Sequence, residues 1–288
     1  MKRPLVFYKR TYTFKDGLTL EFGNRTLIMG ILNITPDSFS DGGRYLDVDA
    51  AVARAREMVE EGADLIDIGG ESTRPGHDPV SAEEEIARIV PVIRALRGSV
   101  RVPISVDTYK AKTARAALAA GAHILNDVWG LKADPEMAAV VAEHGCPVIL
   151  MHNRKKMDYA DFVPDVLADL QESVRLARAA GVADDHIWLD PGIGFAKDDE
   201  RNLELLGRLG ELAALGYPVL LAASRKTVIR NTLGLPADDV VEGTATTTAL
   251  GIAQGCQMVR VHDVKANKRV ARMADAIVYR QAGEKKGD

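Results

Sequence analysis

The sequence predicts one α/β domain, a single eight-stranded parallel (β/α)8 barrel of the TIM type with an N-terminal β-hairpin. Three observations predict it. Apolar runs of strand length alternate with alanine-rich amphipathic helices as far as Tyr279, and eight such units can be counted. Glycine recurs where each helix hands over to the next strand, at Gly62, Gly98, Gly121, Gly145, Gly181, Gly216 and Gly255, where a left-handed C-cap is expected. Every strand ends in polar residues, as it should if all carboxyl ends reach one working rim. The expected organisation is a hairpin extension over residues 1–25, the barrel over 26–280 and a disordered tail over 281–288.

Taken in order, residues 5 to 25 alternate loosely around Lys15-Asp16-Gly17, and Asp-Gly between such runs signals a hairpin, a small plug or lid. The barrel strands are predicted at Thr26–Ile34, Leu65–Gly70, Val102–Asp107, His123–Val128, Pro147–His152, Ile187–Asp190, Pro218–Ser224 and Met258–His262. The first runs apolar without alternation into the loop Thr35-Pro36-Asp37-Ser38-Phe39-Ser40-Asp41-Gly42-Gly43, so it belongs in a sheet covered on both faces. Pro36 stops that strand, and Asp47 is expected to cap the helix after it. Ser81 with Glu84 forms a capping box, Glu83 and Glu85 suit the positive end of the same helix, and Asp263 is placed to cap the last one.

Net charge −4 without a basic face argues against nucleic acid and anionic membranes as partners. Cys146 and Cys256 are far apart and lack metal-ligand spacing, which reads as two buried thiols in a reducing, cytoplasmic setting. No apolar run reaches membrane-spanning length, and Met1-Lys2-Arg3-Pro4 is not followed by a signal-peptide core.

The rim carries the chemistry. Arg260 and His262 lie two apart on one strand and face the same way, which suits an anion, and Lys226 adds a cation at the neighbouring strand end, where barrels of this kind often hold phosphate. A surface salt bridge is the alternative for Arg260. Asn33 is too weak a ligand to hold a metal alone, but beside a diphosphate oxygen it can complete a Mg²⁺ shell made mostly of water and substrate. Asp107, Asn126 and Asp190 suit the edge of a flat polar heterocycle, two carboxylates accepting paired hydrogen bonds and an amide meeting a mixed edge. The same two carboxylates also suit general acid and base work, and Phe195 reads equally as a ring-stacking wall or as core.

Asn33-Ile-Thr-Pro-Asp-Ser-Phe-Ser-Asp-Gly-Gly43, Gly70-Glu-Ser-Thr-Arg-Pro-Gly76, Asp190-Pro-Gly-Ile-Gly-Phe195, Ser224-Arg-Lys226 and Arg260-Val-His-Asp263 closely resemble the dihydropteroate synthase family, across nearly the whole chain. The resemblance implies a Mg²⁺-requiring transferase, usually a homodimer, that joins 6-hydroxymethyl-7,8-dihydropterin diphosphate to 4-aminobenzoate and releases pyrophosphate. It implies that Asp107, Asn126, Asp190 and Lys226 bind the pterin, with Met151 and Phe195 lining its pocket. Lys226 thereby passes from phosphate to pterin. Asn33, Arg260 and His262 are implied to serve the diphosphate and metal, and Thr73, Arg74, Pro75 and Thr227 to frame the aminobenzoate. Phe39 and Asp41 would act in catalysis as the first loop closes over the reacting centre. The run 151–162, with Met151-His152-Asn153-Arg154, lacks the Met-Gln-Gly of many members, and Ala196 replaces a common glycine. A pterin-binding methyltransferase domain and a non-catalytic pterin-binding paralogue are the alternatives. The helix near Asp239–Gln254 is rich in small residues, which suit either packing on the barrel wall or, as the resemblance implies, the side of a homodimer contact.

Overall fold

The computed structural model of the chain describes residues 8–35, 43–71 and 79–283. A short antiparallel hairpin, β1 (Arg10–Thr13) and β2 (Thr19–Phe22), precedes eight parallel strands. These are β3 (Leu27–Asn33), β4 (Leu65–Gly69), β5 (Ile104–Asp107), β6 (Ile124–Asp127), β7 (Val148–Met151), β8 (Ile187–Asp190), β9 (Leu220–Leu221) and β10 (Met258–Val261). They pair in the order β8-β7-β6-β5-β4-β3-β10-β9. A bridge between Leu189 and Val219, with the Leu189 amide donating to the Pro218 carbonyl at 2.9 Å, brings the two ends together into a barrel. The strand expected over 218–224 shrinks to two residues here. Proline has no amide to donate, so the start of this strand pairs through carbonyls alone.

The helices α1 (Gly43–Glu61), α2 (Ala82–Leu96), α3 (Ala111–Ala120), α4 (Met137–His144), α5 (Phe162–Ala179), α6 (Asp199–Gly207), α7 (Leu209–Ala213), α8 (Thr227–Leu233), α9 (Val241–Ala253) and α10 (Val264–Gly283) fill the crossovers. The last runs past residue 280, where the sequence places the end of the barrel. Six of the seven handover glycines have positive φ, whereas the seventh, Gly98, does not, because α2 ends on an ordinary right-handed turn at Arg97. The Ser81 hydroxyl accepts from the Glu84 amide at 3.1 Å as expected. Glu83 and Glu85 lie in the first turn as expected, and Glu85 is in addition buried, accepting from Lys110 at 2.9 Å and Thr113 at 3.0 Å. Asp47 lies inside α1 rather than capping it, and the carboxylate of Asp263 is taken by Arg225 at 2.6 Å.

Alternation along each strand divides the core in two. Outward residues such as Ile28, Ile66, Val106, Leu125, Leu150, Leu189 and Val259 pack under the helices. Inward residues at the amino ends, Leu27, Met29, Leu65, Ile124, Ile149, Trp188, Leu220 and Met258, form a second apolar cluster together with Tyr12, Leu20 and Phe22 of the hairpin. The hairpin is therefore a plug in the amino-terminal mouth. The Trp188 indole donates to the Tyr12 hydroxyl at 3.0 Å, and the rings of Tyr12 and Phe22 meet Trp188 edge-on at 5.4 and 5.0 Å. Closing that end leaves the carboxyl ends as the open mouth.

Candidate active site

Above the apolar plug the inward positions turn polar. Asp67 of β4, Asp107 of β5, Asn126 of β6, Asp190 of β8 and Arg260 of β10 follow Leu65, Ser105, Ile124, Trp188 and Met258 by two residues each, so the pleat points them into the same barrel. Asn33, Met151 and His262 stand at the rim, and the carbonyl-edge register sets Asp107 beside Asn126.

Arg260 is the centre of this layer. Its Nε donates to Asp67 Oδ2 at 2.6 Å and its Nη2 to Asp107 Oδ2 at 3.0 Å, while Asn126 Nδ2 donates to Asp67 Oδ2 at 3.2 Å. Both carboxylates are buried, so the expected alternative of a surface salt bridge does not describe Arg260. Burial works against the cation, but the charges of Asp67 and Asp107 prevail and raise its pKa. Two of the five guanidinium N–H groups are committed in this way, and among the described residues the others meet no protein acceptor. Asp107 Oδ1 and Asp67 Oδ1 are buried with no hydrogen-bond partner among the described residues. Burial pushes the Asp107 carboxyl up to about 7 against the pull of Arg260. Orphaned buried acceptors of this kind ask for a ligand donor.

Asp190 and Lys226 form the facing wall. Asp190 Oδ1 accepts from the Gly192 amide at 2.7 Å, and burial raises its pKa although Lys226 opposes it. The Lys226 ammonium donates to the Ile193 carbonyl and stands 4.7 Å from the centre of the half-buried Phe195 ring. Burial lowers the Lys226 pKa to about 8. Arg225 is held at φ +57°, and this left-handed turn sends its guanidinium out to Asp263 while Lys226 points inward. Ser224 Oγ lies 3.0 Å from His262 Nδ1 and accepts from the His262 amide at 3.2 Å, which fixes the imidazole at the rim.

The family model for pterin-binding enzymes matches residues 29–262. A dihydropteroate synthase of Bacillus subtilis is 55% identical over 259 residues, 90% of this chain and 91% of its own length. The chain belongs to the dihydropteroate synthase family. Two solved members agree in fold. The Clostridium difficile enzyme, crystallised in the presence of pteroic acid, superposes with a TM-score of 0.87 at 50% identity, over 88% of this chain and 97% of that one. The Xanthomonas albilineans enzyme with 4-aminobenzoic acid gives a TM-score of 0.87 at 41% identity, over 97% and 100%.

Within this dihydropteroate synthase fold, Asn33, Asp107, Asn126, Met151, Asp190, Phe195, Lys226, Arg260 and His262 all come to one mouth. Phe39, Asp41, Thr73, Arg74 and Pro75 lie outside the described residues. Thr227 opens α8 on the exposed side, where its hydroxyl accepts from Arg230 at 2.7 Å. Asp67 escaped the sequence reading, although a lone carboxylate inside Leu65-Ile66-Asp67-Ile68-Gly69 is itself a signal, since an unpaired charge is not buried among apolar neighbours.

Proposed function

We propose that this mouth binds 6-hydroxymethyl-7,8-dihydropterin diphosphate and 4-aminobenzoate and joins them to 7,8-dihydropteroate with release of pyrophosphate. The observation that carries the reading is the buried set Asp107, Asn126 and Asp190 around an unpartnered carboxylate oxygen, with Arg260 and Lys226 beside it. An amino-pyrimidinone edge offers the donors that such an oxygen lacks. Phe195 and Met151 wall the ring, and Lys226 supplies a cation toward it.

The uncommitted N–H groups of Arg260 and the imidazole of His262 face the diphosphate in this reading. The C–O bond to the diphosphate breaks with its electron pair leaving on oxygen, the arylamine nitrogen forms the new C–N bond, and the amine gives up a proton. The electron-rich pterin carries the positive charge between these events. No protein nucleophile is required, so catalysis rests on charge stabilisation and positioning. Phe39 and Asp41 exclude water from the cationic centre, and Thr73, Arg74, Pro75 and Thr227 frame the aminobenzoate.

For a divalent cation the donor set decides. Among the described residues no group of three His, Cys, Asp or Glu side chains is placed to enclose a metal. Among those residues a site built wholly from protein does not fit, whereas Mg²⁺ carried by the diphosphate, with the Asn33 amide as one ligand, does. Its chemistry there would be to neutralise the leaving diphosphate.

We place the enzyme in the cytoplasm as a homodimer. The two cysteines are free and buried, in keeping with a reducing compartment, and no described helix is long and apolar enough to cross a membrane. Three of the small residues of α9 pack inward: Gly243 faces Ile229 and Leu233 of α8, Gly251 faces Leu221, and Thr248 donates to Asn267 at 2.8 Å. The dimer contact belongs instead to the exposed apolar face of Leu250, Met273 and Ile277 on α9 and α10.

The deciding experiment is formation of dihydropteroate and pyrophosphate from the two purified substrates with Mg²⁺. Tight pterin binding without product would instead point to a non-catalytic paralogue.

A further inference from the structure

Asp190, Phe195 and the Ile193 carbonyl that receives Lys226 all depend on one short loop, Pro191-Gly192-Ile193-Gly194-Phe195-Ala196, and the residue after it is a buried lysine. Lys197 Nζ lies 2.8 Å from His152 Nδ1 and donates to the Gly192 carbonyl at 2.9 Å and the Phe195 carbonyl at 2.9 Å. An ammonium has three N–H bonds, and all three are used. Burial lowers the Lys197 pKa to about 7, and in the protonated amine no N–H remains for a substrate, so its contacts are those of a structural tie.

Its partners are fixed in turn. His152 Nδ1 accepts from Lys197, which puts the imidazole proton on Nε2, where it points at Asp169 Oδ2 at 3.0 Å. Burial drives the imidazole down to about 4, in keeping with a neutral ring that accepts on one side and donates on the other. Burial alone would raise the Asp169 carboxyl, but His152 and Arg154 bind it and hold it well below the usual carboxylate range. Arg154 Nε donates to the same oxygen at 2.6 Å, and its guanidinium stands 4.5 Å from the centre of the Tyr159 ring. The Tyr159 hydroxyl then donates to the Ala196 carbonyl at 2.9 Å, beside an alanine held at φ +47°. The loop approaches so closely that a Cβ on Gly192, itself at φ +68°, would lie 2.0 Å from the His152 carbonyl oxygen.

We propose that Lys197 is a positioning residue for the pterin pocket: it ties both ends of the loop 191–196 to the end of β7, and the divergent run 151–162 completes the clamp through His152, Arg154 and Tyr159. The proposal rests on the pterin reading of the site. It also gives that run a role in place of the contacts its family counterpart would make.

The test uses the full chain, with pteroic acid binding measured by calorimetry and both substrates followed in steady-state kinetics. Wild-type protein that fails to bind pteroic acid would sink the pterin reading itself, before any variant is considered. If wild type binds, Lys197→Met, verified as folded by thermal melting, is expected to weaken pteroic acid binding by about tenfold or more and to raise KM for the pterin substrate in parallel, because a small misplacement of pocket groups is felt strongly. The KM for aminobenzoate and kcat at saturation should stay within about threefold, since no N–H of Lys197 reaches the reacting atoms. Lys197→Gln, which retains two donors, should fall between the two and serves as the reading if the Met variant does not fold. Wild-type pterin affinity in either folded variant, or a fall in kcat with pterin affinity unchanged, would overturn the assignment.

Discussion

Arg260→Met separates the structural from the catalytic duty of the central cation. Methionine keeps an unbranched stem but removes the charge and every donor. Asp67 and Asp107 are then left facing each other in the barrel, both buried and with no counter-charge at 2.6 and 3.0 Å. Breaking a buried ion pair from one side costs about 3–5 kcal/mol. At about 2–4 °C per kcal/mol for a chain of this order of size, melting should fall by roughly 6–20 °C. The penalty should be larger at pH 8 than at pH 6, because in acid one of the two carboxyls takes up a proton and relieves the repulsion. Turnover should fall by about 10²-fold or more, the usual weight of a donor that stabilises leaving-group charge. The double variant Arg260→Met with Asp67→Asn should recover much of the stability and none of the activity. Thermal melts at both pH values and kcat for the three proteins make the test. A single variant within about 1 kcal/mol of wild type, or a double variant no more stable than the single, would refute the buried-pair account. Near-normal turnover would refute the leaving-group role.

Four further outcomes are expected. Pterin affinity should be full above pH 7 and fall as pH drops through about 7, because the buried Asp107 carboxyl, raised from 3.8, must be ionised to accept the pterin donors. Asp107→Asn should remove that step, and an unchanged profile would assign it to another group. The sign for stability is opposite: the raised carboxyl contributes most to the unliganded protein below its unfolded pKa, and that contribution is lost as pH rises through about 7. Ala196→Gly should raise stability by up to about 1 kcal/mol by relieving a left-handed alanine at φ +47°, read by thermal melting, and a clear loss would deny the strain. Aminobenzoate should bind poorly to the free enzyme and well with a pterin, pyrophosphate and Mg²⁺ present, and equal calorimetric affinity would rule out a site completed by pyrophosphate. Leu250→Glu with Met273→Glu should convert a dimer into a monomer in light scattering at micromolar concentration, and a monomeric wild type would remove the interface.

Much of this protein was legible in one dimension because its fold repeats. Strand, polar end, helix and glycine recur with a regular phase, and the two-residue period of a strand determines which side chains share an interior, so Arg260 with His262 could be grouped without coordinates. The polar ends at Asn33, Asp107, Asn126, Asp190 and Lys226 follow from the same rule, since parallel strands all deliver their carboxyl ends to one mouth. What only the tertiary structure decided is who meets whom across the barrel. Asp67 and Arg260 are 193 residues apart, and no local pattern says that one lies against the other. Lys197 carries no mark in the local sequence, and it is buried because His152 after β7 and two carbonyls of the loop 191–196 converge on it. The glycines of α9 could face either a partner or the barrel, and packing of Gly243 against Ile229 and Leu233 and of Gly251 against Leu221 chose the barrel side. Period sets the face of each element, whereas charge pairing and the direction of a helix stripe depend on the closure of the whole sheet, which chain order does not encode locally.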